Sequence, residues 1–156
     1  TAASKGWNIP GLRCAQLIAS GEARARFDAD PVCSGLPEGA SILGVLATTA
    51  AVSEGREWNA AVREYLRGTL EAVTGRLNGI EGVSVAMPEA TYLAWVDFSG
   101  AVADGRITGA PFDFLAREAG VDMNDGADYA AFCRLNLATG RGIADEIADR
   151  ITAALA

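Results

Sequence analysis

The sequence predicts an α/β chain, on three observations. Residues 57–77 place Trp58, Ala61, Val62, Tyr65, Leu66, Leu70, Val73 and Leu77 at helical spacing, with Arg63, Glu64, Arg67, Glu71 and Arg76 between them. That is the pattern of a long helix with one apolar face. Residues 91–98 and 132–139 have the length and composition of strands, and the second run alternates at the strand period. Residues 140–156 return to helical spacing, with Ile143, Ile147, Ile151 and Leu155 on one stripe and Asp145, Glu146, Asp149 and Arg150 outside it.

In chain order, residues 14–20 form a short, mostly apolar run stopped by Gly21, which predicts a buried sheet strand. Residues 22–27 read as a short polar helix. Pro31, Gly35, Pro37 and Gly39 punctuate the next stretch, so an irregular crossing between packing units is expected there. Residues 41–52 are small and apolar all round, the pattern of a buried helix. The long helix after it stops at Asn78-Gly79. Residues 82–86 alternate as a strand does, and Met87-Pro88 breaks them. The aromatic side chains of residues 91–98 are expected in the core, and residues 99–108 read as a Gly-rich loop. Residues 111–119 read as a helix with proline in its first turn, Phe112, Phe114 and Leu115 on one face, and Gly120 as its stop. Residues 121–126 read as a short strand and turn. In residues 132–139, Phe132, Arg134, Asn136 and Ala138 share one face, and Cys133, Leu135 and Leu137 the other.

Composition removes several classes of function. Half of the 156 residues are hydrophobic, enough for a core and too many for wholesale disorder. No apolar run approaches the roughly 20 residues of a helical membrane span, and no signal-peptide pattern opens the chain, so no membrane partner is expected. The net charge is −7 without any basic cluster, which argues against nucleic acid. Cys14, Cys33 and Cys133 are odd in number, widely spaced and set among apolar residues, as buried reduced thiols of a cytoplasmic protein would be. Histidine is absent and no CxxC pair occurs, so neither a His-based nucleophile pair nor a metal site is expected.

Two residues are left to carry chemistry. Lys5 is the single lysine beside twelve arginines. Arginine serves surface charge and ion pairs, but a guanidinium does not condense with a carbonyl, whereas a primary amine does. In a chain without histidine, Lys5 is the best nucleophile or base; taken alone it is equally an ordinary surface lysine. Arg134 stands in the middle of an apolar strand and needs an anion there. That anion is either an internal carboxylate or the carboxylate of a bound molecule, which a guanidinium grips at two points.

The run SKGWNIPGLR at residues 4–13, continued by Cys14 and Ala15, resembles the cofactor-lysine segment of fold-type I enzymes dependent on pyridoxal 5'-phosphate (PLP). These are the class I/II aminotransferase superfamily, and the wording is most similar to its cystathionine β-lyase (C–S lyase, MalY/PatB-like) branch. Residues 88–98 (PEATYLAWVDF) resemble the strand entering that family's small C-terminal domain, and residues 134–139 (RLNLAT) its substrate-binding element. The resemblance covers essentially the whole chain. It implies the C-terminal portion of a PLP-dependent transferase fold: residues 1–55 as the end of the large PLP-binding domain, and 56–156 as an interdomain helix with the small α+β domain. The opening at Thr1, inside the motif and without Met, fits the C-terminal part of a longer enzyme.

The resemblance also implies roles. Lys5 would be the catalytic and cofactor-binding lysine. Arg13 would bind the cofactor phosphate, helped by Ser4 or by Thr1, because Ala2 stands where the family often has Ser or Thr three residues before the lysine. Arg134 would hold the α-carboxylate of an amino-acid substrate. The activity implied is β-elimination from cystathionine or related cysteine S-conjugates, giving pyruvate, ammonia and a thiol, in a homodimer with residues 41–52 near its interface. These residues are common to β-lyases and aminotransferases and do not choose between them. A chain of this extent alone is expected to bind PLP weakly and to be inactive. A reading of another class is a non-catalytic interaction module with residues 41–52 as its contact surface.

Overall fold

The two strand-like runs pair with each other. In a computed structural model, which describes residues 1–126 and 129–156, the strands β1 (Ser84–Val85), β2 (Leu93–Asp97), β3 (Asn124–Asp125) and β4 (Phe132–Asn136) form one sheet in the order β1-β2-β4-β3. Every pairing is antiparallel, and the central ladder sets Ala94 against Leu135 and Val96 against Cys133. These four side chains face the core, with Cys133 fully enclosed. The opposite register, Trp95 against Arg134 and Asp97 against Phe132, faces outward. The alternation of residues 132–139 thus appears as predicted, because side chains on successive strand residues point to opposite faces.

The chain divides into two compact units, Thr1–Val62 and Arg63–Ala156. The second holds the sheet and the main hydrophobic core. Leu70, Val73 and Leu77 from the end of α4 (Arg56–Leu77), Leu115 from α6 (Pro111–Glu118) and Ile151 from α7 (Arg141–Ala154) pack in that core with the inward sheet face. The residues buried along α7 are Ala144, Ala148 and Ile151, followed by Leu155 just past its end; Ile143, assigned to the apolar stripe, is 58% exposed. A strict spacing of four residues precesses by about 40° per step around a helix. The isoleucine stripe therefore meets the core partly at Ile147 and fully at Ile151, and small alanines let the first turns approach closely.

Two other expectations change in this unit. Tyr92 and Phe98 are buried as predicted, but Trp95 lies on the outer face at 40% exposure, stacked on Phe132. Its register, not its size, decides its face. Residues 99–108 are not a featureless loop: they begin with α5 (Ser99–Ala103), started by the Asp97 carboxylate accepting from the Ser99 amide at 2.8 Å. Arg106 then ties the segment down, donating to the Leu155 carbonyl at 3.0 Å and the Glu81 carbonyl at 2.5 Å while pairing with Asp104. Gly100 and Gly82 touch here; a Cβ on Gly100 would lie 2.4 Å from the Gly82 Cα, so the crossing requires glycine.

The first unit holds α1 (Gly21–Ala29), α2 (Pro31–Gly35), a 3-10 turn (Leu36–Gly39) and α3 (Ile42–Glu54), together with the start of α4. The stretch expected to be irregular is therefore mostly helical. The Asp30 carboxylate accepts from the amides of Val32 and Cys33 at 2.8 and 3.0 Å, and Pro31 and Pro37 occupy first-turn positions, where proline starts a helix instead of breaking one. The helix α3 forms as predicted, capped by the Ser41 hydroxyl, but it is not buried: Ile42 is 79% exposed, Leu43 and Leu46 are exposed as well, and its enclosed residues are Gly44 and Thr48. Residues 14–20 likewise form no strand among the described residues: Gln16 exchanges backbone bonds with Thr1 at 2.7 and 2.8 Å, and Ile18 is 85% exposed. An apolar run becomes a buried strand only with neighbours on both edges and cover on both faces, and the described residues of this unit supply neither. Cys14 and Cys33 are half-buried where burial was expected, and all three thiols are free. Among the described residues no single helix is long and apolar enough to cross a membrane.

Candidate functional site

Residues 3–12 fold as a chain of tight turns held by their own backbone. The amide of Trp7 donates to the Ala3 carbonyl at 3.0 Å, that of Ile9 to Ser4 at 3.0 Å, and that of Leu12 to Ile9 at 3.1 Å. Ala3 is buried, and Asn8 takes a positive φ of 55°, a conformation that asparagine tolerates better than most residues. Two side-chain bonds fasten the loop where α3 gives way to α4. The Trp7 indole donates to the Gly55 carbonyl at 2.9 Å, and the Asn59 amide donates to the Gly6 carbonyl at 2.6 Å. Gly55 is needed there, because a Cβ on it would lie 2.6 Å from the indole nitrogen.

Lys5 sits between these anchors with its side chain exposed, and among the described residues its amine makes no hydrogen bond or ion pair. A fixed backbone with a free amine is what a nucleophilic lysine requires. Ser4, next to it, is half-buried. Arg13 closes the segment: its carbonyl accepts from the Ser41 amide at 2.9 Å, and a Cβ on Gly44 would lie 3.0 Å from the same carbonyl, a tight fit. The guanidinium of Arg13 makes no ion pair among the described residues, in contrast to Arg24, which is bonded to Asp28 at 2.7 Å.

Arg13 lines an open groove of about 850 Å³ with Cys14, Leu17, Phe27, Leu36 and Pro37. Lys5 and Ser4 are not among the residues lining it. The three predicted cofactor residues thus share one fastened segment without lining one common cavity.

Arg134 lies in the second unit, on the outward face of β4. It is exposed, so the desolvation cost inferred from its apolar neighbours in sequence does not arise: the adjacent Cys133 and Leu135 point the other way. One Nη of its guanidinium donates to the Asn124 side-chain oxygen at 2.9 Å, and no carboxylate among the described residues pairs with it.

The curated relatives that the chain matches include cystathionine β-lyases. Over 99% of its length the chain is 35% identical to the cystathionine β-lyase of Corynebacterium glutamicum, of which it spans 41%. It is 29% identical over 99% of its length to the cystathionine β-lyase PatB of Bacillus subtilis, spanning 40% of that protein. This chain is homologous to the cystathionine β-lyases. Its backbone agrees, matching the crystal structure of the PLP-bound C–S lyase from Staphylococcus hominis with a TM-score of 0.80 at 28% identity, over 99% of this chain and 40% of that one. No family model matches the chain. It spans less than half the length of these C–S lyase relatives, and the matched part has their PLP-enzyme fold.

Sequence reasoning missed the residues that hold the lysine segment in place. Asn59 and Gly55 lie more than 45 residues from Lys5 in the chain, inside or beside a helix whose periodicity explains them well enough. The one available signal was Gly55 itself, a glycine between two long helical runs.

Proposed function

We propose that the protein carrying this chain is a PLP-dependent C–S β-lyase that acts on cystathionine or related cysteine S-conjugates and releases pyruvate, ammonia and a thiol. The observation that carries the reading is Lys5: the single lysine of the chain, exposed on a fastened loop and unbonded among the described residues, in a sequence 35% identical over 99% of its length to a cystathionine β-lyase. The residues fit the cofactor, since a free primary amine suits its aldehyde and an uncompensated guanidinium suits its phosphate. When bound, PLP supplies an electron sink for negative charge at the substrate Cα.

The chain's own residues supply position and proton transfer. Lys5 would hold the cofactor through its primary amine, and the same Nζ would take the Cα proton of the substrate. Arg13 and the Ser4 hydroxyl would hold the cofactor phosphate. Arg134 orients the substrate carboxylate with its planar fork, which fixes the direction in which the Cα–H bond points. Residues 1–55 complete the large cofactor domain, and residues 56–156 form the interdomain helix and small domain. The exposed apolar face of α3 supports a homodimer with this helix near the interface. A cytoplasmic location accords with three free thiols.

The test is turnover in the full-length protein with PLP and L-cystathionine. The lyase releases pyruvate with no keto acid added. Turnover that requires a keto-acid acceptor would make it an aminotransferase instead. A protein that shows no Lys5-dependent cofactor absorbance would leave only the interaction module.

A further inference from the structure

On the outward face of the sheet three neighbouring strands place Trp95, Arg134 and Asn124 in one row. Trp95 and Asn124 are the Cα partners of Arg134 on β2 and β3 respectively. Directly opposed side chains on one face have Cβ atoms about 5 Å apart, so Arg134 is flanked on both sides. Trp95 stacks on Phe132 at 5.8 Å between ring centroids and meets Tyr129 edge-on at 6.1 Å, which makes that flank apolar. The other flank is the Asn124 side-chain oxygen, 2.9 Å from an Arg134 Nη.

We propose that Asn124 is a positioning residue for the substrate carboxylate on Arg134, aiming the guanidinium with a neutral acceptor that leaves its charge whole. The inference rests on the role of Arg134 proposed above. A long arginine on an open sheet face loses rotamer freedom when a ligand fixes it. A bond already made to one end of the fork removes part of that loss before the ligand arrives, and leaves other N–H donors for a two-point grip. The acceptor's neutrality matters as much as its position. An aspartate at 124 would hold the same nitrogen, but as an ion pair that every substrate carboxylate would have to displace. The other acid on this face, Asp97, is bonded to Ser99 and sits opposite Phe132, not Arg134.

The test compares Asn124→Asp and Asn124→Ala with the native full-length protein by steady-state turnover of L-cystathionine, with Arg134→Ala as the reference for a lost clamp. Asn124 is exposed on a two-residue edge strand, so both variants keep the core intact. The expected result is a KM raised about tenfold by Asn124→Asp and about threefold by Asn124→Ala, with kcat of both within about twofold of native. A residue that merely held the β3–β4 edge would give the reverse order, because aspartate has the same shape and accepts the same bond. Asn124→Asp no worse than Asn124→Ala, in a native protein that turns over, overturns this assignment alone. A native protein with no Lys5-bound cofactor overturns the proposed function and this assignment together.

Discussion

At the scale of single residues, the outcome turned on register and contacts that lie far apart in sequence. Cys133 and Arg134 are neighbours in one strand, yet the first is fully enclosed and the second open to solvent. Burial, with a smaller push from the nearby Asp125 charge, raises the Cys133 thiol to about 11. An unfolded cysteine ionises nearer 8.5. Below about pH 8.5 the thiol is protonated in both states, and its buried neutral form costs nothing extra. Between about pH 8.5 and 11 the unfolded chain has shed the proton while the folded one retains it, so this stabilising contribution is lost as pH rises. Denaturant midpoints of the native protein should therefore fall over that range more steeply than those of Cys133→Ala, and native Cys133 should resist alkylation at pH 8 while Cys14 and Cys33 react.

At the scale of elements, periodicity was a good guide to where helices and strands lie and a weaker one to what they bury. The long helix α4, the strands β2 and β4, and the helices α6 and α7 all stand within a few residues of their predicted positions. Trp95 and the α7 stripe were misplaced because burial depends on which face meets the partner, a property that spacing alone does not carry. The turns after Asp30 were missed because proline was read as a breaker where a capping carboxylate made it a starter. Ala148 is fully enclosed on α7, in the hydrophobic core. Ala148→Leu should therefore overpack the contact and lower stability by about 1–3 kcal/mol. Thermal or urea unfolding would show it, and the exposed Ile143→Ala should change stability by less than about 0.5 kcal/mol.

At the scale of the whole molecule, the two units differ in how well each accounts for its own apolar residues. Arg63–Ala156 closes a core around its sheet, while Thr1–Val62 encloses little beyond Ala3, Gly44 and Thr48 and leaves Leu17, Ile18, Ile42, Leu43 and Leu46 exposed. Their apolarity was legible in the sequence, and burial was the natural expectation; what covers them was not legible, because the relatives are more than twice as long as this chain. Residues 1–156 produced alone should bind a hydrophobic dye and sediment as species larger than a 16.1 kDa monomer. Ile42→Ser with Leu46→Ser should reduce both effects. The candidate site was legible where chemistry set it apart, in one lysine and one mid-strand arginine. Its supports, Trp7, Asn59 and Asn124, were not, since each bond is made across the fold.

The most direct measurement of the central claim is borohydride fixation of the cofactor in the full-length protein, followed by mass mapping of the peptide that contains Lys5. The account predicts a reduced pyridoxyl-phosphate mass on Lys5, absent from Lys5→Ala, whose cofactor absorbance is lost as well. An unmodified Lys5 peptide, or the label on another residue, would contradict it.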